Sequence, residues 1–258
     1  IQSLYMDAGY LFFNMMPVEV GVSNDSIDME VRISEGPQAV IGHVTWSGNT
    51  KTTDRVILRE LRTKPGNTFS RTDIQRTMRD LAAIGLFDPE QMKVDPKPNA
   101  SDGTVDIAYK LVEKPSDQIE LSGGWGGNNR SSNYAMYGQS YGYGGLVGTL
   151  GLSLNNFSTR KLLKPSMWNP LPSGDGQKLS IRAQSNGLYY QSYNFSFTEP
   201  WFGGKKPNGF TSSIYRTNQS FDAKTKNDPS KRFIKITGLS LSLSKRLRWP
   251  DDYLSNFY

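Results

Sequence analysis

The sequence predicts an α+β module of order β-α-α-β-β, preceded by the end of another such module and followed by the opening strands of an antiparallel β-barrel. Three observations lead there. Apolar residues recur at helical spacing between Asp54 and Leu81, and they alternate with a period of two through much of residues 118–258. The charge changes sign between the halves, from −4 over residues 1–117 to +10 over residues 118–258. Ten of the 25 glycines fall between Gly123 and Gly151, directly after the linker-like Lys114-Pro115-Ser116-Asp117, which places the main boundary there. A chain of 258 residues has room for about two domains.

Taken in order, Gln2 to Tyr10 reads as the last turns of a helix and Leu11 to Met16 as an apolar run. Ile27, Met29, Val31 and Ile33 alternate with Asp28, Glu30, Arg32 and Ser34, the pattern of a strand with one wet face. Gly36-Pro37 closes this first piece, residues 1–36. Residues 37–114 then read as a complete module. It opens with a strand from Ala39 to Trp46, the turn Ser47-Gly48-Asn49 and a helix from Asp54 to Arg62. A second helix is capped by Ser70, carries Ile74, Met78 and Leu81 on one face, and stops at Gly85. Met92 to Val94, a loop from Pro96 to Gly103, and Val105 to Val112 form a closing hairpin.

Residues 115–258 give six alternating segments. Gln118 to Gly127 is glycine-rich; Leu146 to Leu154, Leu179 to Gln184, Tyr189 to Phe197 and Phe210 to Thr217 follow. The cleanest is Leu239, Leu241 and Leu243 against Ser240, Ser242 and Ser244, with a seventh strand beginning at Tyr253. Such alternation is produced either by a soluble sandwich, apolar side inward, or by a transmembrane barrel, apolar side outward. Three features favour the barrel: strands near ten residues, aromatics at strand ends (Trp201, Phe202, Trp249, Tyr253), and small polar residues on the opposite face. Too few strands are present for them to close on themselves, since the smallest barrels need eight. No stretch is long and apolar enough for a membrane-spanning helix, and any signal peptide lies upstream of Ile1.

Composition removes most chemistry. With no cysteine, thiol catalysis and cysteine zinc sites are excluded; with one histidine, His43, no serine–histidine pair is expected, and no phosphate-cradling loop is present. Neither a catalytic residue, a metal site nor a cofactor is expected, and His43 reads as a packing or surface residue. The basic residues of the second half sit in turns, which suits lipid phosphates better than nucleic acid, so no nucleic-acid partner is expected. Two sheet edges remain as candidate sites. Gln91, Met92, Lys93 and Val94 would form an exposed edge of the module, able to accept an extended chain. In Gln118 to Gly127, Gly123 and Gly124 weaken the strand, while Ile119, Leu121 and Trp125 lie on one face, so its free backbone groups could template an incoming strand.

The module resembles a POTRA domain, the periplasmic repeat of outer-membrane assembly and translocation factors. The matching residues are Gly48-Asn49-Thr50, Thr53, Ile57, Arg59, Glu60, Leu61, Gly66, Phe69, Ile74, Leu81, Gly85-Leu86-Phe87, Asp106-Ile107 and Val112-Glu113. Residues 1–36 resemble the end of the penultimate repeat. Phe195 to Phe202, Phe-Ser-Phe-Thr-Glu-Pro-Trp-Phe, is similar to the end of the fourth strand in the barrel of BamA-type assembly factors, and Leu152 to Phe157 to the close of its second strand.

What the resemblance implies is a fragment of a non-enzymatic outer-membrane insertase. Its sixteen-stranded barrel would open a lateral gate between first and last strands, the gate strand carrying Ile119, Leu121, Gly123, Gly124 and Trp125. Its partners would be unfolded outer-membrane proteins, accessory lipoproteins touching Arg62, and outer-membrane lipid facing Leu239, Leu241 and Leu243. It would reside in the outer membrane of a Gram-negative-type bacterium with its POTRA part in the periplasm. Departures exist: Pro65 replaces the acidic residue expected before Gly66, and segment 158–177 is longer than a periplasmic turn. Alternatives are a translocation-and-assembly-module barrel, a two-partner secretion pore, or, from another class, a soluble carbohydrate-binding β-sandwich. On the barrel reading, 158–177 and Trp201 to Pro207 share the periplasmic side, and Asp222 to Lys231 lies outside.

Overall fold

A computed structural model describes residues 2–23, 25–99, 101–126, 145–168, 170–187, 190–221 and 232–245. Internal contacts divide the chain into two units, residues 1–115 and 116–258.

The first unit opens with α1 (Gln2–Asp7), and β1 (Asn14–Ser23) then pairs antiparallel with β2 (Ser26–Ser34). The alternating strand Ile27 to Ile33 is β2. Sequence patterning gave no sign of β1, because Pro17 interrupts it and a bulge between Glu19 and Gly21 breaks the period of two. The helix α1 is tied to the complete module: Asp7 accepts from Thr72 N at 2.8 Å and from Thr72 Oγ1 at 2.8 Å, and Ala39 N donates to Gly9 O at 2.8 Å.

The rest of this unit runs β3 (Val40–Ser47), α2 (Asp54–Glu60), α3 (Arg71–Ala83), β4 (Lys93–Asn99) and β5 (Thr104–Lys110). The sheet order is β3-β5-β4, with β3 parallel and β4 antiparallel to β5. Ile57 and Leu61 from the α2 end, Ile74 and Leu81 from α3, and Ile41, Val105, Ile107 and Tyr109 from the sheet form one buried core with Phe69, Leu86 and Phe87. Ser70 caps α3, its Oγ accepting from Asp73 N at 3.2 Å. The buried Tyr109 hydroxyl is matched by Thr63 Oγ1 at 2.9 Å, as a polar group without access to water requires.

Two boundaries differ from the sequence expectation. Helix α2 stops at Glu60, leaving Arg62 beyond its end. The stretch Pro96 to Asn99, expected as loop because of Pro96 and Pro98, continues β4; prolines are tolerated there because β4 is an edge strand.

The second unit is a single antiparallel meander of six strands: β6 (Gln118–Gly126), β7 (Gly145–Phe157), β8 (Gln177–Ser185), β9 (Tyr190–Glu199), β10 (Asn208–Phe221) and β11 (Arg232–Lys245). A short helix, α4 (Thr159–Leu162), and a 3-10 turn, Pro165–Met167, lie between β7 and β8. Among the described residues the sheet is open, β6 and β11 being its two edges. Consecutive strands pair antiparallel throughout, so 158–176 and 200–207 lie at the end of the sheet where β6 enters. The expected outer loop Asp222 to Lys231, the girdle residues Trp249 and Tyr253, the strand start at Tyr189 and the seventh strand at Tyr253 fall outside the described residues. Among the described residues no helix is long and apolar enough to cross a membrane.

Candidate strand-pairing edge and lipid-facing surface

Because paired residues of adjacent strands point to the same face, the registers of the meander sort its side chains into rows. One row runs Ile119, Leu152, Ile181, Phe195, Ile214, Leu239; the next runs Leu154, Leu179, Phe197, Ser212, Leu241, and Phe210 pairs with Leu243. The opposite face carries Ser153, Ser180, Ser196, Ser213 and Ser240 in one row and Lys178, Thr198, Thr211 and Ser242 in another. Hydroxyls there bond across strands: Ser196 to Ser213 at 2.9 Å, Thr198 to Thr211 at 3.0 Å and Ser192 to Thr217 at 3.2 Å.

This is the inverse of a soluble sandwich. A sandwich would bury the leucine face, yet Leu239, Leu241 and Leu243 are 63%, 63% and 74% exposed, and no second sheet pairs with this one among the described residues. The band has a limited height. In the 14-residue strands β10 and β11, Arg216 beside Thr237 and Asn218 beside Lys235 stand on the same face beyond Ile214 and Leu239. Lys235 Nζ lies 4.6 Å over the Phe233 ring, an aromatic–cation pair suited to the rim of an apolar zone.

Strand β6 is pinned at its first half and bare at its second. Asp117 accepts from Asn155 N at 3.1 Å, Asn155 Nδ2 donates to Ser116 O, and Glu120 reaches across β7 to Arg182 Nη2 at 3.0 Å. That reach is possible because residue 151, between them, is glycine; a Cβ there would stand 3.1 Å from Glu120. Beyond Ser122, Gly124 has nothing within 4 Å of where a Cβ would be, so only backbone pairing holds it to β7. Ile119 and Leu121, on the apolar face, are about four-fifths exposed (79% and 82%). The five residues expected on this strand thus lie together on the unpaired edge, Trp125 pairing with Leu146 in register.

The other candidate edge is placed differently. Gln91 lies in a turn and Met92 is in the core, so only Lys93 and Val94 belong to β4. Pro96 and Pro98 face Ile107 and Val105, and having no N–H they must occupy the non-bonded positions of the ladder. The outward edge of β4 therefore presents prolines where a docking strand needs donors. The opposite edge, β3, is closed at its start: Ile41 N donates to Asn67 O and Gly66 N to Ile41 O, both at 2.8 Å.

Arg62, expected at a lipoprotein contact, is paired inside the module, its Nε 2.9 Å from Asp80 Oδ2 and its N donating to Thr77 Oγ1 at 3.1 Å. His43 is an exposed strand residue whose Nδ1 lies 3.1 Å from Asp106, a partner 63 residues away that sequence proximity could not reveal. The His43 backbone N–H first and its ring second hold the Asp106 carboxyl below its ordinary range. Among the described residues no group of acidic or histidine side chains is placed to hold a metal ion.

Glu113, at the exit of the module, is more than the motif residue its sequence position suggests. Its carboxylate accepts from Thr50 Oγ1 at 2.6 Å, Lys51 N at 3.0 Å and Thr52 N at 2.7 Å, while Lys114 N donates to Leu86 O at 3.0 Å. Burial alone would raise this carboxyl; the hydrogen bonds from Thr50, Thr52 and the Lys51 backbone outweigh it and hold the group below its ordinary value. A depressed folded-state pKa stabilises above the unfolded value, about 4.3, and the contribution is lost as pH falls through the folded one. Glu113→Gln is therefore expected to be less stable at neutral pH by ~1 kcal/mol, allowing for screening of a half-exposed group. The difference should vanish in acid, which urea titrations of both proteins at pH 7 and pH 3 would measure.

Comparison with known proteins agrees with this architecture. Residues 39–114 match the family POTRA, the surface antigen variable number repeat, and residues 173–257 match the Omp85 superfamily domain. The outer membrane protein assembly factor BamA of Neisseria meningitidis is 24% identical over 204 residues, covering 78% of this chain and 22% of that protein. The chloroplastic outer envelope protein 80 of Arabidopsis thaliana is 26% identical over 154 residues, covering 60% and 17%. The chain thus spans about a fifth of the length of these relatives. In fold, BamA from Haemophilus ducreyi lacking POTRA domains 1–3 superimposes with a TM-score of 0.65 at 19% identity, over 94% of this chain and 39% of that one. CdiB from Acinetobacter baumannii gives 0.50 at 16% identity, over 95% and 40%.

Proposed function

From a chain that joins a POTRA repeat to part of an Omp85 superfamily domain, we propose a role in outer-membrane protein assembly of the BamA type. Unfolded outer-membrane proteins are received on the free edge of β6 and enter the membrane there. The observation that carries this is the asymmetry of β6: an edge unpaired among the described residues, anchored through Glu120 and Asn155 at one half and glycine-rich at the other, bearing Ile119 and Leu121 on the lipid-facing side.

The protein resides in the outer membrane, with the POTRA part in the periplasm and residues 1–36 ending the preceding repeat. The 158–176 and 200–207 connections then lie on the periplasmic side. No enzymatic step is assigned: the work is pairing and partitioning, driven by an incoming strand satisfying its backbone on β6 while its apolar side chains enter lipid. Accessory lipoproteins complete the machinery. Arg62 is held on Asp80 through Nε, which leaves its terminal guanidinium N–H groups for such a contact.

A photo-reactive amino acid at Ile119 or Leu121 tests the reading against one at Ile181, in the sheet interior on β8. Capture of a nascent outer-membrane protein at the first two positions and not the third is expected. A secretion pore that threads substrate through its lumen would instead cross-link from the polar face, at Ser180 or Ser196, and that pattern would overturn the proposal.

A further inference from the structure

The connection between β7 and β8 is built inside out. Several of its polar groups are consumed internally. Ser158 Oγ donates to Asp175 Oδ2 at 2.7 Å, Gln177 Oε1 accepts from Thr159 N at 2.7 Å, Lys161 Nζ donates to Ser173 O at 2.6 Å, and Trp168 Nε1 donates to Lys161 O at 2.8 Å. Asn156 adds Gly176 N at 3.0 Å. This braced turn also shows apolar side chains to its surroundings: Leu163 is 87% exposed and Met167 53%, with Leu162, Trp168 and Leu171 also open, beside the exposed Arg160 and Lys164. A hairpin connection of ordinary kind is short and polar; this one holds its greasy side chains outward on a fixed frame.

We propose that segment 158–176 is an interfacial anchor, with Leu162, Leu163, Met167 and Trp168 seated in the headgroup and upper acyl region of a phospholipid leaflet while Arg160 and Lys164 meet the lipid phosphates. Two observations choose lipid as the occupant. The segment continues directly from β7 and β8, whose apolar row Leu154–Leu179 is the last before the turn, so the leucine face and the turn meet the same leaflet boundary. The charge is complementary: Arg160, Lys161 and Lys164 are opposed only by Asp175, which already accepts from Ser158. Apolar side chains flanked by basic ones, with tryptophan among them, are what an in-plane membrane segment requires. The anchor rests on the membrane reading of the sheet, and gives it a purpose: it fixes the height of the β7–β8 hairpin, and through Asn155 and Arg182 that of the pinned half of β6, while the glycine half is left to move.

The chain has no cysteine, so single introduced cysteines are unique labelling sites. Leu163→Cys and Met167→Cys would carry an environment-sensitive fluorophore in protein reconstituted into phosphatidylethanolamine–phosphatidylglycerol vesicles, with Leu239→Cys as a deep marker and Ser101→Cys as an aqueous one. Blue-shifted emission at 163 and 167, quenched more by headgroup-level than by chain-end spin labels, is expected. Adding Arg160→Gln and Lys164→Gln should weaken that quenching severalfold. If 163 and 167 are quenched by aqueous iodide like 101 while 239 is quenched at depth, the segment stands in water and the anchor is wrong although the membrane reading holds. If 239 is also aqueous, the membrane reading itself fails. Shielding of 163 in cells but not in vesicles would assign the surface to a protein partner and likewise overturn the proposal.

Discussion

Gly48→Ala is expected to unfold the POTRA repeat. Gly48 has φ of +98°, which costs a side-chain-bearing residue about 1–2 kcal/mol, and a Cβ there would overlap the carbonyl of Leu111. That carbonyl cannot retreat: Leu111 N donates to Ser47 O at 2.8 Å and the Leu111 side chain is in the core. Strain and overlap together are expected to remove at least about 3 kcal/mol, a large part of the ~5–15 kcal/mol that holds a domain together. Gly66→Ala is the control, with φ of +86° but open space around the new methyl, and should cost about 1 kcal/mol. Hydrogen exchange over residues 39–114 reads both. Equal protection in the two variants would show that the Leu111 backbone yields to the added methyl.

The second large effect distinguishes the faces of the sheet. Leu239→Arg or Leu241→Arg should cost ~2–4 kcal/mol in bilayer-folded protein, because a cation then meets hydrocarbon near mid-depth. Ser240→Arg, one residue away, points to the hydroxyl face and should cost under about 1 kcal/mol. Urea titration of vesicle-folded protein gives the comparison. A soluble body with the serine face outside and the leucine face packed would also reject Leu239→Arg, so the decisive arm is membrane partition: only a lipid-facing leucine row lets wild-type protein leave detergent-free water for vesicles.

The meander was legible because its rows are nearly pure: leucine against serine in β11 leaves a period of two with no competing reading. The helices of the repeat were legible for the same kind of reason, Ile74, Met78 and Leu81 falling on one face behind the Ser70 cap. What escaped were places where a local rule is suspended by a neighbour. Pro96 and Pro98 read as loop because nothing in the sequence says that β4 has only one partner. Strand β1 hides behind Pro17 and a bulge. One anchor of the candidate edge escapes too, Glu120 meeting Arg182 over Gly151, and so does the bonding of Glu113 to Thr50 and Thr52 within the repeat; these pairs lie about 60 residues apart, where no spacing rule connects them. The resemblance puts Arg62 on a contact surface, while its Asp80 partner lies on α3, 18 residues further on.

The two units also differ in how far along the chain their pairings reach. In the repeat, β4 and β5 pair locally, but β3 must find β5 some sixty residues later, across both helices, so the three-stranded sheet is complete only when the whole piece is present. In the meander every partner is the next strand, and hairpins of that kind close in microseconds, one after another. Growth can therefore proceed from β6 outward by accretion, with each new strand adding to the edge the last one left. Among the described strands, the outer edge of β6 is not reached by this zippering. It is the oldest open seam in the sheet, exposed for as long as the rest takes to form.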